Sequence, residues 1–258
     1  MGLLNYARLI RFRSHLTFGI VLIGALFFAD KINISIIPTL FLLYIAFNVL
    51  MYGGLYTMNE IADLESDKRH PVKNNRPLPS GRISVGHATA FSVLSIFLGL
   101  AFAYLYFGKL IFYFFLLFIL LNVIYTFFAK KVPYVELIFN GLTHPLRFAM
   151  GGAFVGATLP SSLVWTIFLM AFGISAMRRR FERNFKGWEA RPVLKFYTKT
   201  ELNFIVAAAF FLILVFFLFD YPEFWIFYAF GIIIYLTSTL GAWHSKFLNR
   251  LFKSVWLK

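Results

Sequence analysis

Eight long apolar runs, near residues 15–30, 36–58, 85–107, 110–129, 134–156, 161–177, 203–220 and 223–243, leave this chain few folds to choose from. Each approaches the roughly 20 residues that a helix needs to cross about 30 Å of hydrocarbon. In that solvent every backbone N–H and C=O must be bonded internally, so a spanning segment is either a helix or part of a closed barrel. Barrel strands show alternating segments of about ten residues. These runs are continuous instead, so the expectation is all-α: a polytopic membrane helical bundle forming one domain over residues 1–258.

The net charge of +14 raises the question of nucleic acid, and the positions of the bases answer it. With the N-terminus inside, every Lys and Arg except Lys31, Lys109 and Arg147 falls on one face of the membrane. That is the positive-inside pattern, which makes the basic loops cytoplasmic without any nucleic-acid partner. The absence of cysteine excludes disulfides, thiolate metal sites and cysteine nucleophiles. Residues 1–16 are too basic and amphipathic for a cleaved signal and read as an interfacial helix; residues 245–258 look similar.

Between the second and third runs lies NEIADLESDKRHPVKNNRPLPSG, residues 59–81. Asn59, Asp63 and Asp67 recur every four residues, which puts them within about 80° on one helix face. Oxygen-only ligands suit Mg²⁺, an ion that keeps waters and is usually shared with substrate phosphates. Lys68, Arg69, His70, Lys73 and Arg76 follow at once. Carboxylates beside cations make sense with an anion between them, and a diphosphate satisfies both: metal on the acids, outer oxygens on lysine and arginine. The competing reading is a helix end fraying into water with its acids solvated.

Asn59-Glu60-x-x-Asp63-x-x-x-Asp67, followed by Arg76-Pro77-Leu78-Pro79-Ser80-Gly81, resembles the first Asp-rich motif of the UbiA-type intramembrane prenyltransferase superfamily. Tyr125, Lys130, Asn140-Gly141, Arg147 and Gly151-Gly152 also fall where that superfamily carries similar residues. Glu60 and Glu136 stand where its aspartate and its fifth-span acid are usual, with charge kept. The resemblance implies about nine helices, against eight counted here plus the short amphipathic tail. It also implies Mg²⁺ as cofactor, with Asn59, Asp63 and Asp67 as its catalytic ligands.

In the fifth run Glu136, Asn140, His144, Arg147 and Gly151 share a helical face within about 80°. Charged groups at membrane depth face a cavity or a partner. Glu136 and Arg147 are about 16 Å apart along a helix axis, too far to neutralise each other, so a central polar cavity is expected. The plainer alternative is that Asn140 and His144 hold neighbouring helices together.

After the sixth run the superfamily's ordinary prenyltransferases carry a second Asp-rich motif. Here the stretch reads SAMRRRFERNFKGWEARPVLKFYTKTEL, and the corresponding positions hold Arg179 and Arg183. Arginines repel Mg²⁺ and attract phosphate directly. HPVKNNRP in the first loop and ARPVLKFYT in the second, basic loop (178–202) look like the subgroup that includes decaprenyl-phosphate phosphoribosyltransferase. That resemblance implies transfer of 5-phosphoribose from phosphoribosyl pyrophosphate to a polyprenyl phosphate lipid. Substrate contacts are then expected from Lys68, His70, Lys73, Arg76, Tyr125, Lys130, Glu136, Asn140, Arg147, Arg179, Arg183 and Arg191. The rivals are a conventional prenyltransferase joining an isoprenyl diphosphate to an aromatic or other small acceptor, a transporter-like membrane protein, and a family member without catalysis. A bare topology signal is the competing account of the arginine cluster.

Overall fold

The computed structural model of the chain describes residues 2–29, 34–70, 72–183, 192–241, 244–245 and 247–248, and among them the regular structure is entirely helical. α1 (Gly2–Leu9) leads through a 3₁₀ turn (Phe12–Phe18) into α2 (Gly19–Phe27). α3 (Ile36–Tyr44), a π-helical stretch (Ile45–Tyr52) and α4 (Gly53–Ala62) run on as one 27-residue rod. A short α5 (Leu64–Arg69) opens the first loop. α6 (Val85–Phe102) starts where the Ser84 side chain caps the amide of His87, continues as a π turn (Ala103–Phe107) and meets α7 (Gly108–Phe127). α8 (Val135–Phe154), α9 (Ser161–Glu182), α10 (Lys199–Phe219) and α11 (Trp225–Leu236) complete the order. α10 is opened by a full capping box between Thr198 and Glu201.

Each of the eight apolar runs thus appears as helix. Five stretches are long and apolar enough to cross a membrane: Ile36–Ala62, Val85–Lys131, Ser161–Glu182, Lys199–Phe219 and Pro222–Gly241. The second is interrupted at Gly108, whose φ of 79° and ψ of −179° belong to a region open essentially to glycine alone. α8 has the length but carries the polar stripe. Large apolar side chains such as Phe97, Leu105, Phe211 and Ile226 point outward, as they do in a protein solvated by lipid.

The chain divides into two compact units: Met1–Phe127 with Leu146–Leu159, and Phe128–Pro145 with Pro160–Lys258. The boundary in α8 falls at Pro145, which supplies no helical N–H.

The first unit buries Phe47, Met51, Phe115 and Phe118 in its largest core. Lipid tails are as apolar as these side chains, so close backbone approach and interhelical hydrogen bonds must supply much of the cohesion. Ser92 on α6 donates to the Gly54 carbonyl on α4 at 2.8 Å. Gly24 on α2 lies against the Phe148 carbonyl, and Gly151 lies against that of Val21, so the two helices touch backbone to backbone. The second unit packs α9 on α10 around Met177, Leu202 and Val206, and its Tyr235 hydroxyl donates to the Val206 carbonyl at 2.7 Å. At the start of α9, Asp220 accepts from Ser162 and from Tyr228, each at 2.6 Å.

A methyl at Gly151 would overlap backbone atoms that cannot move aside, whereas Gly19 has nothing within 4 Å of the same position. Gly151→Ala is therefore expected to lower stability in detergent by about 1–3 kcal/mol. Gly19→Ala should leave it unchanged or slightly raise it. Thermal unfolding of the two variants beside wild type checks the contrast.

Candidate functional site

In the first unit the acidic motif sits where α4 gives way to α5. Asp63 ends α4 with φ −98° and ψ 2°, so the helix expected to run through Asn59, Asp63 and Asp67 is broken in the middle. The one-turn spacing survives, because Asp63 N–H donates to the Asn59 carbonyl at 3.0 Å and Asp67 N–H to that of Asp63 at 2.8 Å. Asn59 Oδ1 also accepts from the Thr126 hydroxyl of α7 at 3.4 Å.

Asp67 is 2% exposed and Glu60 1%. Carboxylates this buried must be matched by cations, and the following loop brings them back. Arg76 Nη1 donates to Asp67 Oδ2 at 2.9 Å and stands 3.8 Å from Glu60 Oε1; Lys73 Nζ is 3.2 Å from Asp67 Oδ1. From the N-terminal side, Arg11 places Nε at 2.9 Å and Nη2 at 2.6 Å from Glu60 Oε1. Arg11 has a left-handed backbone, φ 53°, a conformation uncommon for a side-chain-bearing residue. Burial and the neighbouring Arg11 pull the Arg76 guanidinium below its ordinary value, and Glu60 and Asp67 oppose this. Glu60 Oε2 is buried without a hydrogen-bond partner.

Lys68 turns to Glu65 at 2.8 Å on the exposed side, away from these acids. His70 Nδ1 accepts the amides of Val72 and Lys73 at 3.2 and 3.3 Å, which fixes the turn that delivers Lys73. Tyr125 lies half-buried on α7. Arg147 is 1% exposed, and its guanidinium carbon stands 4.5 Å from the Phe118 ring centre, 4.8 Å from Tyr52 and 5.8 Å from Phe47. The stripe's arginine is thus held among three aromatic faces, whose quadrupoles attract a cation strongly once water is excluded.

In the second unit the stripe's acid has found another base. Glu136, fully buried, takes Arg179 side-on, with Nε at 2.5 Å from Oε1 and Nη2 at 2.7 Å from Oε2. The third nitrogen, Arg179 Nη1, donates to Glu182 at 2.9 Å, and Glu182 also receives Arg178 at 2.9 Å. Tyr197 donates to Glu136 Oε1 at 3.1 Å while accepting the Tyr134 amide at 3.0 Å. Burial first, then the Glu136 charge, raises the Tyr197 hydroxyl above the usual tyrosine range, so it stays a donor. Arg183 donates to the Tyr197 carbonyl. Asn140 donates to Ser175 at 2.8 Å, and His144 Nδ1 is 3.1 Å from the Asn140 carbonyl, so both do act between or along helices. Lys130 is half-buried in the turn before α8; Arg191 lies outside the described residues.

Two expectations change on this geometry. Arg179, expected to meet substrate phosphate, has all three nitrogens on carboxylates, because a guanidinium and a carboxylate buried apart would each carry several kcal/mol of desolvation cost. Glu136, expected to contact substrate, is for the same reason the arginine's counter-charge. The lysine and arginine expected only around a phosphate also neutralise Asp67 directly. Arg11 was missed, since it lies 49 residues from Glu60 and no local spacing links them.

The donor set of Asn59, Asp63 and Asp67 is all oxygen, and the orphaned Glu60 Oε2 adds a buried position that a cation would satisfy. That chemistry fits a hard divalent ion such as Mg²⁺. Among the described residues no three His, Asp or Glu side chains gather into a cage of their own. An ion at this set would draw the rest of its shell from water or phosphate.

Splitting the Glu136–Arg179 pair should be severe. Glu136→Ala or Arg179→Ala alone is expected to cost about 3–5 kcal/mol, because the partner is left charged and buried. The double variant should cost less than the sum of the two. Tyr197→Phe should cost about 1 kcal/mol. Unfolding of detergent-solubilised variants in a double-mutant cycle measures all three.

Residues 17–254 match the UbiA prenyltransferase family. The fold is similar to a UbiA homolog from Archaeoglobus fulgidus solved with GPP and Mg²⁺, with a TM-score of 0.78 over 98% of this chain and 94% of that one at 21% identity. Among curated relatives, decaprenyl-phosphate phosphoribosyltransferase of Corynebacterium glutamicum is 30% identical over 172 residues, 62% of this chain and 50% of the relative. Digeranylgeranylglyceryl phosphate synthase of Sulfolobus acidocaldarius is 34% identical over 138 residues, 54% of this chain and 49% of the relative. The chain spans about half the length of the curated relatives it matches. With helices at all eight expected places and a family match that runs through nearly all of them, this integral membrane protein belongs to the UbiA prenyltransferase family.

Proposed function

We propose that this chain is a membrane transferase acting on a Mg²⁺–diphosphate substrate, and that it moves 5-phosphoribose from phosphoribosyl pyrophosphate to a polyprenyl phosphate. The observation that carries the coarse reading is the first-loop cluster: two buried carboxylates threaded by Arg11, Lys73 and Arg76 at 2.6 to 3.8 Å. Such a cluster suits a ligand with a cation for the acids and negative oxygens for the bases. Asn59, Asp63 and Asp67 would hold the metal, which when bound supplies charge neutralisation of the leaving diphosphate. Lys73 and Arg76 would take its outer oxygens.

The finer reading is supported by the end of α9, where Arg178, Arg179, Arg180 and Arg183 outnumber Glu182, and by the similarity to the phosphoribosyltransferase of C. glutamicum. In the proposed reaction a lipid-phosphate oxygen bonds to the ribose anomeric carbon as that carbon's bond to pyrophosphate oxygen breaks. An ionised phosphate brings its own electron pair, so no general base is asked of the chain. Arg183, which among the described residues donates to a backbone carbonyl, is the arginine at the end of α9 suited to meet phosphate. Arg179 serves by holding Glu136 and Tyr197. The reaction side is cytoplasmic on the distribution of bases.

A second reading, transfer of an isoprenyl group from its diphosphate, is favoured by the similarity to digeranylgeranylglyceryl phosphate synthase. It shares the first-loop chemistry and differs in donor and acceptor. Purified protein with Mg²⁺ separates the two: phosphoribosyl pyrophosphate plus a polyprenyl phosphate in one reaction, an isoprenyl diphosphate plus glyceryl-phosphate or aromatic acceptors in another. Turnover in the first alone is expected, and turnover only in the second would replace the phosphoribosyl reading. Asp67→Asn or removal of metal with EDTA should abolish transfer. Arg183→Ala should lower it by about one to two decades, and Arg183→Lys should recover only part of that loss.

A further inference from the structure

Glu60 and Asp67, the two buried acids of the motif, are each already occupied by a cation of the chain itself. Asp67 holds Lys73 on one oxygen and Arg76 on the other, and Glu60 holds Arg11 on Oε1 with Arg76 3.8 Å away. This contact network sets two negative charges against three positive ones. The surrounding segment does not reverse the sign, since Glu60, Asp63, Glu65 and Asp67 are answered by Lys68, Arg69, Lys73, Arg76 and Arg82. A bare divalent cation approaching these carboxylates meets guanidinium and ammonium groups that cannot leave without losing their partners. Asp67 and Glu60 are nearly fully buried, and Arg76 keeps only 20% of its side chain exposed, so water compensates the displaced charges poorly.

We propose that this cluster is closed to a free metal ion by its own bases and admits the metal only together with diphosphate, with Lys73 and Arg76 passing from carboxylate to phosphate as the metal takes the acids. The inference deepens the diphosphate reading and rests on it. The exchange conserves ion pairs: Asp67 trades Lys73 and Arg76 for the metal, and each freed base gains a phosphate oxygen. A metal–diphosphate complex is an anion overall, which matches the excess of bases, whereas the bare ion does not. Glu60 Oε2, buried and unbonded, is the oxygen that gains a partner in the exchange without giving one up. Metal and diphosphate therefore bind with positive coupling, and the coupling is the same whichever is added first.

The test uses the full chain in detergent, with Mg²⁺ and inorganic pyrophosphate as probes. Thermal unfolding is read with each probe alone and with both, and binding of Mn²⁺ without pyrophosphate is read from loss of the free-ion electron paramagnetic resonance signal. Wild type is expected to show almost no shift with metal alone and a shift with both that exceeds the sum of the separate shifts. Lys73→Gln, which removes the more exposed of the Asp67 bases, should bind Mn²⁺ alone about tenfold more tightly than wild type. Should that variant fail to fold, the wild-type shifts decide by themselves. Metal alone shifting wild type as far as metal with pyrophosphate, or equal Mn²⁺ affinity in wild type and a folded Lys73→Gln, would overturn the coupling while leaving the diphosphate site intact. No shift under any combination would instead overturn the diphosphate reading and this inference with it.

Discussion

A charge removed from water in or beside a bilayer must be met by an opposite charge, by hydrogen bonds or by aromatic faces, because a lone buried ion carries a desolvation cost of several kcal/mol, a large share of a domain's net stability. The described structure answers that requirement three ways. Glu136 is answered by Arg179 in a side-on pair reinforced by Tyr197. Asp67 and Glu60 are answered by bases from a loop and from the N-terminal segment. Arg147 is set among Phe118, Tyr52 and Phe47. Loop paths, helix breaks and the left-handed backbone at Arg11 all serve to bring these partners together.

The two acidic sites differ in what they leave available. Around Glu136 the exchange is complete: both oxygens are used, Arg179 spends all three nitrogens on acids, and the pair is nearly inaccessible. That arrangement fixes the ends of α8 and α9 and the segment after Pro192, which is a positioning role. Around Asp67 the bases are partly exposed, Lys73 with a third of its side chain in solvent, and a neighbouring carboxylate oxygen has no partner. Ion pairs of this second kind are open to solvent on one side, unlike the Glu136 pair.

Several parts of this were legible in the residues. The four-residue recurrence of Asn59, Asp63 and Asp67 persists as successive backbone hydrogen bonds even though the helix breaks at Asp63. Asn140 does reach a neighbouring helix, through Ser175. The partner of Glu136 was not legible, because Arg179 is 43 residues away and read most naturally as part of a basic loop facing phosphate. Nor was the ring box around Arg147: with 35 phenylalanines in the chain, no spacing singles out the ones that meet a given cation.

The sequence by itself determined the solvent and the secondary structure, since runs of about twenty apolar residues have no stable alternative to a helix in hydrocarbon. It also determined where the acids and bases are concentrated, and the excess of bases on one side is the basis for the expected orientation. Only the tertiary structure decided which acid each base neutralises. Helix periodicity fixes neighbours within a few residues, whereas two of the pairs that bury charge here join positions 43 and 49 residues apart, and those are set by how helices pack and loops fold back.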